Sequence, residues 1–232
     1  TISLRGSTAE KRVVGRTQVS GNVGEDLGFV FGASGGGYGN LNAGGSLGRQ
    51  PGTNYHDWFS DGRIDLHLDD RWSLGILAQV ARVENVDRVH RTVNGVSFAG
   101  TSVGSDRTRT FDWERELVGV FLDGVGLGGF ADEVHVRLSW QRIGETQTRV
   151  RGDGRINESK FLVDTFGVAV ELVSETALGE LTYGADWYHD EVDTSRRDTS
   201  VIGVTAPRIQ GVVGDDASYD LLGLFLQDRL AI

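Results

Sequence analysis

Several long segments of this chain alternate apolar with polar or small side chains, and each runs into turn residues or a long polar loop. In DEVHVRLSWQR, Val134, Val136, Leu138 and Trp140 fall on one side, and His135, Arg137, Ser139 and Gln141 on the other. FSDGRIDLHL separates Ile64, Leu66 and Leu68 from Asp61, Arg63, Asp65 and His67 in the same way. LTYGADW sets Leu181, Tyr183, Ala185 and Trp187 against Thr182, Gly184 and Asp186. A helix would scatter these sets around its circumference, because its period is 3.6 residues and that of a strand is two. The pattern predicts nine strands, at 11–21, 25–34, 57–69, 71–88, 110–124, 132–149, 160–174, 179–193 and 218–231.

Many of these strands exceed the five or six residues usual in soluble sheets, and their length suits a tilted strand crossing a bilayer. Short connections (21–24, 69–70, 124–131, 174–178) alternate with long ones (35–56, 89–109, 194–217). Short turns at one end and long loops at the other are the layout of an outer-membrane barrel. The expected fold class is therefore all-β, an antiparallel transmembrane β-barrel present as a partial barrel of about nine long strands. Trp58, Trp72, Trp113, Trp140, Trp187 and Tyr188 lie near strand ends and are expected to form the girdle at the membrane interfaces.

Composition narrows the class further. For 232 residues, 38% hydrophobic content is low for a two-layer core, and a membrane barrel needs no such core. Thirty-four Gly against two Pro suit strands crowded along a curved wall. A net charge of −10 argues against nucleic acid, which asks for clustered Lys and Arg. The absence of Cys removes disulfides, thiolate metal sites and thiol nucleophiles. No apolar run is long enough for a transmembrane helix, and any export signal is expected to be removed or to lie outside this sequence.

TISLRG followed by a basic, polar stretch resembles the last plug strand and the crossing into the barrel of TonB-dependent outer-membrane receptors. DEVHVRLSWQRIGETQTRVR, the run KFLVDTFGVAVELVSETALGELTYGADWYHDEVDTSRRD, and DDASYDLLGLFLQDRLAI resemble successive wall strands of the same receptors. The resemblance covers nearly the whole chain, and LTYGADWYHDEVD and YDLLGLFLQD are its most specific pieces. It implies residues 1–10 as the end of a plug and the crossover, and residues 11–232 as part of the receptor barrel. It also implies import of a scarce ligand, such as a ferric siderophore, haem or cobalamin. The implied partners are outer-membrane lipid, the plug and remaining barrel of the same receptor, and the TonB energy-transducing complex acting through that plug. The chain departs from the family in lacking the rest of the plug and its coupling box, and in having about nine strands where the barrel has about 22. It is thus expected to be the first part of a barrel belonging to a longer protein.

Candidate chemistry is sparse. The candidate ligand-binding residues, in outer loops or facing the lumen, are His56, Arg63, His67, His135, Arg137, His189, Arg196 and Arg197. Imidazole is a common haem or metal ligand, but the five histidines, His90 included, show no HExxH spacing, and neither a cofactor nor a resident metal is expected. Asp190, Glu191 and Asp193, with Asp215 and Asp216 across a loop, offer oxygen ligands for a hard cation but match no calcium loop. GASGGGYGN lacks the Lys-Ser/Thr of a phosphate loop and reads as a flexible outer loop. No nucleophile elbow is present, and the chain is not expected to be an enzyme. Asp61, Arg63, Asp65, His135, Arg137 and Gln141 are expected to line the lumen and pack against a plug. Two other classes share parts of the pattern. A passive porin or small barrel should close within the chain and lack the plug-like TISLRG, and a soluble β-sandwich should have shorter strands with its polar faces outward.

Overall fold

The computed structural model describes residues 1–97, 102–210 and 214–230. Positions 98–101, 211–213 and 231, which the expected loops and last strand include, lie outside the described residues. The fold is one antiparallel meander. Its long strands are β2 (Arg12–Val23), β3 (Leu27–Tyr38), β6 (Tyr55–His67), β7 (Trp72–Asp87), β8 (Thr108–Gly124), β9 (Glu133–Val150), β10 (Ile156–Glu175), β11 (Gly179–Thr199) and β13 (Ala217–Leu230). All nine coincide with strands expected from the alternation. A short β1 (Ile2–Ser7) pairs with β2 at one edge, and β12 (Thr205–Arg208) pairs with the upper end of β11. Together they make an 11-stranded sheet, beside a two-stranded ribbon of β4 (Asn42–Ala43) and β5 (Gly48–Arg49). The sheet is open: β1 pairs only with β2, and β13 only with β11. The TISLRG segment, whose likeness is to the end of a plug, forms that first edge strand.

Three strands run about four or more residues past the expected boundaries at the loop end, where β3 reaches Tyr38, β10 starts at Ile156 and β11 extends to Thr199. Most of GASGGGYGN is accordingly strand rather than flexible loop. Gly35 is paired with Gly15 on one side and Trp58 on the other, and two ladders override the poor strand propensity of glycine. β9 and β10 are joined by a tight turn at 151–155, so one connection at the long-loop end is short.

Residues paired across an antiparallel ladder share a face, so the registers extend each local alternation across the sheet. One row reads Gly21, Phe29, Ile64, Ile76, Val120, Leu138, Val168, Trp187 and Leu222, from β2 to β13. The next row on that face reads Val23, Leu27, Leu66, Leu74, Leu122, Val136, Val170, Ala185 and Leu224. This apolar band slides along the ladder. Toward the loops it still includes Val80 on β7, but Val80 pairs with Glu116, and beyond Glu116 come Arg142, Asp164 and Glu191. Toward the turns it gains Val134, Leu172, Tyr183 and Leu226 on β9 to β13.

The band covers no core. Among the described residues the only buried apolar side chains are Phe111 and Ala131, and no second layer packs on the sheet. Leu222, Leu224 and Leu226 are 67%, 77% and 73% exposed. Soluble domains bury such a face against another layer, which the β-sandwich alternative requires. Among the described residues no helix is long and apolar enough to cross a membrane, which says nothing about strands.

Glycine explains how bulky side chains lie flat on the face opposite the band. The Arg16–Asp61 ion pair spans from β2 to β6 directly over Gly32 of β3, where a Cβ would collide with the guanidinium. The ring of Phe225 lies over Gly184, where a Cβ would also meet the Val170 carbonyl oxygen.

Candidate functional site

The face opposite the apolar band carries the chemistry. Its densest part is near the turn end, in three adjacent ladder rows of β6 to β13. One row runs His67, Ser73, Asp123, His135, Glu171, Gly184 and Phe225. The next runs Asp65, Gly75, Phe121, Arg137, Ala169, Asp186 and Gly223, and the third includes Arg63, Ser139 and Tyr188.

Asp123 is the hub. It accepts from Arg137 and lies 2.6 Å from His135 Nδ1, while His135 Nε2 stands 3.3 Å from Glu133. The Phe121 ring has the Arg63 and Arg137 guanidiniums each 5.4 Å from its centroid, and Asp65 holds Arg63 at 2.7 Å. Two cations over one ring, each matched by a carboxylate, make a charged plate of cation–π and ionic contacts. Farther toward the loops, Arg16 binds Asp61 through two bonds of 2.7 and 3.0 Å, and Arg115 donates to Gln141.

At the loop end the same face bears a second cluster. Tyr38 and Tyr55 stack with centroids 4.0 Å apart, Arg12 lies 5.9 Å over the Tyr38 ring, and the Tyr38 hydroxyl donates to Asp57 at 2.8 Å. Burial first, and then that acceptor, push the Tyr38 hydroxyl up to about 12. The β7–β8 loop is tied to the wall by Arg149, whose two bonds to the buried Asp106 measure 2.7 and 3.0 Å. Arg88 packs 4.0 Å from the Phe111 centroid beside it. On the β11–β12 side, a hydrogen bond from Arg196 holds the Asp198 carboxyl below its usual range, helped by Asn157.

Of the residues singled out in the sequence, Arg63, His135 and Arg137 converge, and His67 joins their ladder without a side-chain partner among the described residues. Arg196 also lies on the polar side, paired with Asp198. His56 and Arg197 stand exposed on the opposite side, and His189 shares the face of Trp187, stacked 5.8 Å from it. His189 contacts Asp220 at 2.9 Å there, just above the apolar band. Trp58, Trp72, Trp140 and Trp187 project on the apolar face, whereas Trp113 and Tyr188 are on the polar one. Asp193, Asp215 and Asp216 gather within 4.8 Å and are exposed, while Asp190 turns to Thr165 and Glu191 to His189. Asp123, Phe121, Glu171 and Asp186 escaped the sequence reading, because what marks them is their register opposite His135 and Arg137.

Compared with known proteins, the chain matches no family model and no curated sequence.

Proposed function

We propose that this chain is wall of a TonB-dependent outer-membrane receptor, which takes up a scarce ligand of the ferric siderophore, haem or cobalamin class. The observation that carries the reading is the apolar band, unbroken over nine strands on one face and backed by ion pairs on the other, in a sheet over which no core is packed among the described residues. Hydrocarbon is the solvent that such a band asks for, and its slide along the ladder is what strand tilt requires when a sheet curves into a barrel whose band lies level in the membrane. In that reading the open edges at β1 and β13 are covered by further strands, because each unpaired backbone group in hydrocarbon costs several kcal/mol. The loop end faces outward and captures ligand. The polar face lines the lumen and packs on a plug, through which the TonB complex delivers energy.

The test is uptake by cells carrying the whole protein. The protein should fractionate with the outer membrane and migrate differently on gels before and after heating. Accumulation of the labelled iron chelate should stop when the inner-membrane proton gradient is collapsed. Flux that persists after collapse would favour a passive porin, and a soluble, heat-indifferent protein would overturn the membrane assignment.

A further inference from the structure

Two phenylalanine rings on the polar face each carry a pair of guanidiniums, and one pair is neutralised while the other is not. At Phe121, Arg63 is held by Asp65 and Arg137 by Asp123. At Phe111, near the loop end of β8, Arg88 lies 4.0 Å and Arg109 5.7 Å from the ring centroid. Neither has a carboxylate partner among the described residues. Arg109 donates to Gln147 at 2.8 Å, and Arg88 has no side-chain acceptor there.

The two arginines also stand opposite each other at the base of the β7–β8 loop. Arg88 donates its backbone N–H to the Arg109 carbonyl at 2.8 Å, one step beyond the Asp87 and Thr110 pair. Like charges directly opposite on neighbouring strands repel, so this pairing costs stability unless something negative joins it. Arg107 lines the same cleft, together with Asp87, Thr92 and Asn94. Asp87 is the one carboxylate in that lining, and it accepts from the Thr110 hydroxyl at 2.7 Å rather than from an arginine. Asp106, the next acid in the loop, is taken by Arg149. Three guanidiniums against one carboxylate leave the cleft cationic, in a chain whose net charge is −10.

We infer that Arg88 and Arg109 hold an oxyanion between them, so that the ligand captured at the loop end is an anionic iron chelate bound through carboxylate or catecholate oxygens. This rests on reading the loop end as the capturing side of a receptor. A guanidinium can stack on a ring and still offer its N–H fork to paired oxygens, which is the posture Phe111 imposes on both side chains. A chelate of net positive charge would be repelled at the same place.

The test uses the whole protein purified in detergent, with an environment-sensitive fluorophore on Asn94→Cys in the cleft. Ferric citrate, ferric tris-catecholate, inorganic phosphate and the cationic ferric complex of desferrioxamine B are titrated separately. An anionic chelate should bind saturably, and the desferrioxamine complex should not. Arg88→Gln with Arg109→Gln should weaken the anionic chelate about tenfold or more, and Arg88→Lys with Arg109→Lys should weaken it less. Arg71→Gln, at the turn end, should change nothing. Raising the salt concentration about tenfold should weaken binding to the unaltered protein, whatever the variants do. Heat-dependent gel migration checks that each variant has folded. Chelate binding indifferent to both salt and double neutralisation would overturn the oxyanion site, as would no saturable binding of any probe. Inorganic phosphate binding as tightly as either chelate would overturn the ligand class. Binding that needs both arginines, in a protein whose uptake ignores the proton gradient, would sink the receptor reading and leave the oxyanion site standing.

Discussion

Trp140 donates its indole N–H to Asp164 at 3.1 Å, from the last apolar row of β9 to the first charged row of β10. Asp164 is 8% exposed and is also gripped by Arg142 at 2.8 Å, so the upper margin of the band is a structured seam. An amphipathic ring with its body among Val118 and Phe166 and its N–H toward charge is posed as an interfacial tryptophan is. Asp164→Ala strands Arg142 and the indole together, and should cost about 1–3 kcal/mol. Trp140→Phe should cost less, since it leaves the Arg142 pair intact. Urea unfolding of the whole protein in lipid vesicles measures both, and equal costs would contradict the seam.

The two faces should respond differently to charge. Val136 sits mid-band between Leu122 and Val170, and Val136→Arg is expected to lose about 2–4 kcal/mol in the same assay. Ser139→Arg, on the polar face opposite Gly119 and Gly167, should be far milder. A similar loss at both sites would refute a lipid-facing band.

Close packing over glycine gives a third expectation. Gly184→Ala drives a methyl into the Val170 carbonyl and the Phe225 ring, and backbone cannot swing aside. A loss of about 1–3 kcal/mol is expected, the usual range for overpacking. At Gly119 the nearest atom is the tip of the Phe121 ring, 3.1 Å away, so Gly119→Ala should be tolerated better. Thermal midpoints of the two variants decide the order.

Tyr38 sets an alkaline limit at the loop end. Its hydroxyl is raised to about 12, so the fold favours the neutral form. The contribution is fully present below the ordinary tyrosine range and declines between about 10 and 12, where the unfolded chain ionises first. A phenolate absorbance titration of the protein minus that of Tyr38→Phe should isolate one late-titrating group. A difference curve centred near 10 would remove burial and Asp57 as causes.

The strands were legible because one face of each is apolar, and the alternation of Val134 to Trp140 or Ile64 to Leu68 reports that directly. It faded where both faces are polar: Asn157, Ser159, Arg197 and Asp198 lie on extended strand, yet no period separates one side from the other. Facing of single residues was also legible within a strand. Trp187 and Tyr188 are neighbours, so a strand can send only one of them to the apolar side. Partnership between strands was not, since Asp123 meets His135 and Arg137 only through a register that no local pattern encodes.

If the apolar band lies level in a bilayer, the hydrogen-bond rows do not. His67 and Glu171 belong to one ladder row, but the band has slipped toward the turns between their strands, so they stand at different depths. The polar residues of that row then climb the wall as a ramp. Anything moving straight through the lumen would meet His67, Asp123, His135 and Glu171 one after another, never as a ring.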